Sequence, residues 1–190
     1  MSLQTWSETL ISAHIAGNNL TASVTATSLI PAAARYTLPP NFMAEGKVLR
    51  IKFAGQLGNI VTTPGTLTLD VRMGPTSNII VFNGGAMQLS STAHTTLPIM
   101  GEILLTCRAI GGGTTANLMG QGIVTSQCLS LTAVADSATT PATLLIPNTT
   151  PGVGTGFDST VSMVVDLFGT FSLNNANAIQ IQQYTLEAMN

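Results

Sequence analysis

An all-β fold, a two-sheet antiparallel sandwich of jelly-roll type with a short N-terminal helix or arm, is what this sequence predicts. Three observations predict it. The stretch GTLTLDVRMG (65–74) sets Leu67, Leu69, Val71 and Met73 on one side and Thr68, Asp70 and Arg72 on the other, the period-two alternation of a half-buried strand. Eight or nine such runs follow one another with no β–α alternation, a number that suits a jelly roll. Finally, 190 residues fit one domain, and a domain of that size buries enough surface to be stable without a metal or disulfide.

The elements follow in order. Residues 1–17 differ from the rest: Thr5 or Ser7 caps a predicted short helix carrying Trp6, Leu10, Ile11 and Ile15, and Gly17 ends it. A helix so short cannot stand alone and must dock, either on its own domain or on a neighbour as an arm. Residues 18–190 form the single sandwich domain. Residues 20–29 are rich in Thr and Val, and 35–38 run into Pro39-Pro40. Run 47–53 turns Leu49, Ile51 and Phe53 inward and Arg50 and Lys52 outward. Across a hairpin to 65–74, Asp70 and Arg72 are placed to pair with Arg50 and Lys52, exposed pairs that set register and add under about 1 kcal/mol. Further runs fall at 78–83, 102–109, 122–132, 161–171 and 178–186. In the last, Ile179 and Ile181 are out of phase with Tyr184 and Leu186, and a bulge at Gln182-Gln183 restores the register. Residues 133–157, rich in Thr, Pro and Gly, are predicted as a long loop.

Composition narrows the function. Charged residues are 7% of the chain and the formal net charge is −2, so little repulsion keeps copies apart. An obligate subunit of an assembly fits that surface better than a free enzyme. Six Lys and Arg residues are too few to neutralise phosphates, which excludes nucleic acid as a partner. Mean hydropathy is +0.40, yet no apolar run approaches the ~20 residues of a membrane-spanning helix, and no membrane is expected as a partner. The N-terminus has neither the basic segment nor the apolar core of a secretory signal. Cys107 is in phase with Ile103 and Leu105, and Cys128 with Val124. A disulfide between their runs is conceivable, but two reduced core cysteines are expected.

Motifs of chemistry are sparse. His14 lies in the predicted helix and His94 in a polar connection, neither beside a Gly-x-Ser-x-Gly elbow. The acids stand singly, with no Asp-x-Asp-x-Asp loop and no Cys or His pair at ligand spacing. No metal and no cofactor are expected, and no catalytic residue is assigned. Gly111-Gly112-Gly113 lacks the Lys and helix of a phosphate loop. The sequons at Asn19 and Asn148 carry little weight without a secretory signal. Asp166 shares its strand side with Val164 and Phe168, so it reads as a carboxylate buried at a subunit contact and paired with an Arg. The candidate subunit-contact residues are Asp166 and Arg72.

The segments EGKVLRIKFAGQLG and GTLTLDVRMG, with the C-terminal GTFSLNNANAIQIQQYTLEAMN, resemble small virion proteins of tailed bacteriophages over about half of the chain. That resemblance implies a jelly-roll protein, often trimeric, attached to a capsid as a decoration (cement) protein or built into the virion elsewhere. It implies the major capsid protein of a phage as partner, self-association as a homotrimer, and a virion location after assembly in the host cytoplasm. It carries over no catalytic residues. In such a protein Trp6, Leu10 and Ile11 are the candidate shell-contact residues, and uncharged Thr and Val strand faces form the trimer contact. A receptor- or glycan-binding head of a phage tail or head fibre is the alternative, with contacts expected in 133–157. A β-sandwich lyase or hydrolase is the third reading, and it requires clustered acids or His.

Overall fold

The computed structural model describes residues 6–60, 63–131 and 141–189. The described residues run through twelve strands: β1 (Ser7–Ser12), β2 (Asn19–Thr21), β3 (Thr27–Ser28), β4 (Tyr36–Leu38), β5 (Val48–Asn59), β6 (Thr66–Met73), β7 (Ile79–Gln88), β8 (His94–Ala109), β9 (Asn117–Ser126), β10 (Ala142–Ile146), β11 (Met163–Phe171) and β12 (Ala178–Met189). The one helical element among the described residues is a 3₁₀ turn at Ala32–Ala34. Among the described residues no helix is long and apolar enough to cross a membrane.

A seven-stranded sheet has the order β1-β12-β5-β8-β9-β10, with β2 also on β12. A five-stranded sheet has the order β3-β11-β6-β7, with β4 also on β11. All pairings are antiparallel. The chain wraps alternately: β5 enters the large sheet, the β6–β7 hairpin the small one, the β8–β9 hairpin the large one, β11 the small one and β12 the large one. Stripped of β9, β10 and the short edge strands β1 and β3, two four-membered orders remain, β2-β12-β5-β8 and β4-β11-β6-β7, and this alternate wrapping is the jelly roll. The inward positions make one core. Leu49, Ile51 and Phe53 of β5 meet Leu67, Leu69 and Val71 of β6, with Ile103 and Leu105 of β8 and Val165 and Leu167 of β11. Each such side chain, fully buried, contributes roughly 1.5–3 kcal/mol.

Three expectations need correction. The N-terminal segment is not helical: residues 7–12 form β1 on the free edge of β12. Pairing with a long strand satisfies backbone groups that a lone two-turn helix would have to satisfy by itself. Next, β5 and β6 are not a hairpin, since they lie in opposite sheets. Asp70 and Arg72 therefore pair with each other, and Arg50 and Lys52 with Glu187 of β12. Lastly, the segment 133–157 contains strand β10, paired to β9 from Ala142↔Ser126 to Ile146↔Gly122, and only its remainder is loop; its residues 133–140 lie outside the described residues. The bulge in β12 stands where the periodicity places it, with the register shifting between Ile181 and Gln183.

Two seams close the sides of the sandwich. On one side, residues 13–29 cross from sheet to sheet: Gly17 N–H donates to the Ile181 carbonyl and Leu29 N–H to the Leu167 carbonyl, both at 2.8 Å. On the other, residues 148–157 run between β7 and β9. There Gly154 N–H donates to the Leu118 carbonyl and Thr155 N–H to the Ile80 carbonyl, both at 3.0 Å. Each seam depends on a glycine. A Cβ on Gly17 would lie 1.8 Å from the Leu29 carbonyl oxygen, and one on Gly154 1.8 Å from that of Val81. Close backbone approach, not a helix end, is what requires Gly17.

Cys107 and Cys128 are free and buried. The Cys128 thiol donates to the Leu57 carbonyl at 3.0 Å, and burial pushes its pKa up to about 11, so it stays a protonated packing group.

Candidate functional site

The register places defined side chains on the outer face of the seven-stranded sheet. One row crosses it as Leu145, Ile123, Glu102, Lys52 and Thr185. A second runs Thr143, Thr125, Met100, Ala54 and Gln183, and a third Gln121, Leu104, Arg50 and Glu187. Met100 is 62% exposed and Leu145 74%, with Ile123 and Leu104 also exposed. These four make an apolar patch on the β8–β10 half of the face. Glu102 stands beside the patch, and the ion pairs of this face gather on the other half, where Arg50 forks onto the Glu187 carboxylate and Lys52 stands 3.8 Å from the same oxygen.

Three adjoining hollows run along β5 on this face. The first, of about 440 Å³, lies over Lys52, Ala54, Met100, Glu102, Ile123 and Thr125. The next, of about 280 Å³, shares Ala54 and Met100 with it and is walled by Gln56, Pro98 and Gln182. The third, of about 430 Å³, shares Gln56 and Thr96 with the second and reaches Asn19, Asn59, His94 and Gln180. The bulge in β12 bears on the middle hollow, because an extra residue leaves consecutive Gln182 and Gln183 both exposed on this face.

The outer face of the five-stranded sheet is arranged differently. Asp166 and Arg72 are cross-strand partners there. The Asp166 carboxylate accepts from the Ser28 hydroxyl at 2.7 Å and lies 3.1 Å from Arg35 Nε. Arg72 lies 3.3 Å from Asp70, and its guanidinium stacks 4.3 Å over the Phe168 ring. Burial raises the pKa of both Asp70 and Asp166, outweighing the opposing pull of the neighbouring arginines and, at Asp166, of Ser28.

The residues singled out from the sequence are thus distributed as follows. Asp166 is buried and has the expected arginine partner, but that arginine is Arg35 of the same chain. Trp6, Leu10 and Ile11 do not share a helical face. Leu10 occupies a bulge in β1 between Thr9 and Ile11, so both it and Ile11 turn toward the core and pack against it. Trp6, just ahead of β1, is the exposed member. His14 is exposed beyond β1, and His94 opens β8 inside the third hollow. Among the described residues no group of three His, Cys, Asp or Glu side chains is placed to hold a metal ion. The amide wall of the third hollow (Asn19, Gln56, Asn59 and Gln180) went unseen in sequence. Its members come from three strands, β2, β5 and β12, and each reads locally as a turn or solvent-facing residue.

No protein-family model matches the sequence, and no curated protein matches it. Among solved structures the chain is similar to the CBM2 module of the evolved Dit of Lactobacillus casei BL23 phage J-1, with TM-score 0.36 and 11% identity over 99% of this chain and 98% of that one. It is also similar to peanut lectin with a nine-residue peptide, with TM-score 0.35 and 9% identity over 98% of this chain and 99% of that one.

Proposed function

We propose that this chain is a non-enzymatic component of a tailed-phage virion that works by surface contact. Its role is that of a capsid decoration protein seated on the major capsid protein, as a homotrimer. The observation that carries the reading is the apolar patch of Met100, Leu104, Ile123 and Leu145 on the outer face of the large sheet. Exposed apolar residues grouped on one face mark contact surfaces, and many symmetric copies multiply a modest affinity. The resemblance of the β5–β6 and C-terminal segments to small virion proteins supplies the setting. Co-sedimentation with particles stripped of the protein tests it. Wild type should pellet with the shell, and a Met100→Glu, Ile123→Glu double variant of unchanged melting temperature should stay in solution. Equal pelleting of a folded double variant would refute the assignment of this face, and light scattering reads the trimer.

A second reading, a receptor- or glycan-binding head, is favoured by the amide-walled hollow around His94. A glycan array probed with the whole chain separates it from the first.

A further inference from the structure

We infer that the hollow between the end of β5, the start of β8 and the start of β12 binds a neutral, hydroxyl-rich ring, a single sugar unit of a longer glycan. The inference rests on the second reading above for its biological setting, and on the hollow itself for its chemistry.

The first observation is the lining. The hollow measures about 430 Å³, and no Asp, Glu, Lys or Arg lines it. Its polar groups are the amides of Asn19, Gln56, Asn59 and Gln180 with His94, Thr95 and Thr96, and the rest is aliphatic or small. Such a wall both gives and accepts hydrogen bonds while offering nothing to an ion. Its volume lies in the lower part of the range of small-molecule sites, about 300–1,000 Å³.

The second observation is a pair of orphans within that lining. Asn59 Oδ1 and His94 Nε2 are buried and have no hydrogen-bond partner, although the two residues face each other across the β5–β8 ladder. The Asn59 amide nitrogen donates to the carbonyls of Ile60, Ser90 and Thr92, at 3.3, 2.6 and 2.8 Å. Three acceptors around one end of the amide fix which atom is the oxygen. An unpaired buried acceptor costs on the order of 1–3 kcal/mol, and natural interiors rarely keep one without a reason. Thr96 adds a third sign, since this β-branched residue sits at φ +59°. Backbone strain of that kind, about 1–3 kcal/mol, gathers at ligand sites.

The ligand follows from these needs. The imidazole nitrogen of His94 donates or accepts a hydrogen bond according to its tautomer. A modest turn of the His94 ring presents that nitrogen to the hollow. Hydroxyl groups serve the turned His94 nitrogen, and the amides of Asn19, Gln56 and Gln180 serve the remaining hydroxyls, while Asn59 Oδ1 stays beneath the wall. The absent charges disfavour uronic acids, amino sugars and phosphates, whose ions would lose water without a partner. Through Gln56 and Thr96 the hollow opens into its neighbour over Ala54 and Gln182, so a chain continues along β5 from the bound unit.

The test uses the whole chain. Its two histidines make the His94 Cε1–Hε1 NMR signal simple to assign through a His14→Gln variant. Methyl α-D-glucopyranoside, methyl β-D-galactopyranoside, N-acetyl-D-glucosamine and L-rhamnose are titrated, with D-glucuronate and D-glucosamine as charged controls. At least one neutral sugar should shift His94 saturably, and the charged controls should not. On a glycan array, Gln56→Ala and His94→Leu should each weaken binding about tenfold at unchanged melting temperature, the loss of one or two polar contacts. Array binding that survives in both variants would leave the binding-head reading standing and overturn this hollow as its site. A blank array with no His94 shift would overturn both, and equal binding of the charged sugars would overturn the ligand class. Should His94→Leu fail to fold, Gln56→Ala on the rim and the wild-type titration still decide the matter.

Discussion

The two outer faces of the sandwich use charge in opposite ways. On the small sheet, Asp70, Arg72, Asp166 and Arg35 lock onto one another, and Phe168 lies beneath a guanidinium. On the large sheet the ion pairs collect around Glu187, and the β8–β10 half presents Met100, Leu104, Ile123 and Leu145 to solvent. A chain with so few charges thus pairs them across one face and confines the ion pairs of the other to its β5–β12 half. The lesson is that the inert face and the contact face are distinguished by where charges are satisfied, since both are regular sheet with the same alternation.

That contrast exists only while the sheets stay in register, and the seams hold them there. Breaking a seam should have the largest effect. Gly154→Ala puts a methyl group where only 1.8 Å separates it from the Val81 carbonyl, and the backbone of two strands has to move apart. A loss of about 3 kcal/mol is expected, the upper end for overpacking. A urea midpoint that does not move would show that this seam is dispensable. By the same logic, removing residues 1–17 strips β1 from β12, so it should lower the melting temperature as well as remove Trp6.

The next effect separates the faces directly. Asp166→Ala leaves Ser28 and Arg35 facing a cavity, and it should cost about 2 kcal/mol, reduced from the usual range because Arg35 is partly in water. In a domain of this size that is a fall of roughly 4–8 °C. Shell binding should be unchanged at temperatures where the variant is folded. Met100→Ser on the other face should do the reverse, moving stability by under about 0.5 kcal/mol while weakening contact. If both variants lowered stability alike, the two faces would differ in composition and not in role. Calorimetry and co-sedimentation on the same two samples decide this.

Most of the fold was legible in the sequence, because strand alternation is a local property. Leu67, Leu69, Val71 and Met73 face inward as their spacing requires, and the bulge at Gln182-Gln183 could be read from one phase slip. What failed was partnership between strands. Arg50 and Lys52 meet Glu187 and not Asp70, because a connection that crosses between sheets resembles a hairpin loop in composition. Residues 7–12 looked helical because the Leu10 bulge puts adjacent apolar residues on one side and breaks the two-residue period. The His94 hollow was illegible for a related reason: its walls, such as Asn59 and Gln180, are brought together by the pairing of β5 with β8 and β12. Asp166 could be recognised as a buried, arginine-paired acid from its apolar strand, but nothing local named Arg35.

The smallest effect concerns pH, and it tests whether the closed face is held chiefly by ion pairing or by burial. In the fold Asp166 has its pKa raised above the ordinary 3.8, burial being the largest cause. Below 3.8 the carboxyl is protonated in both folded and unfolded chains. Between 3.8 and the raised value the folded chain retains a proton that the unfolded chain has released, so stability falls as pH rises across that window and levels off above it. Asp166→Asn cannot titrate. It should therefore gain on wild type as pH increases through the window, and the two urea midpoints should run parallel at higher pH. Asp70→Asn should behave with the same sign, since burial is also the main cause there. A variant that instead loses ground as pH rises would mean that Arg35 and Ser28 outweigh desolvation, and that the small face is an ion-pair lattice whose strength depends on ionised carboxylates.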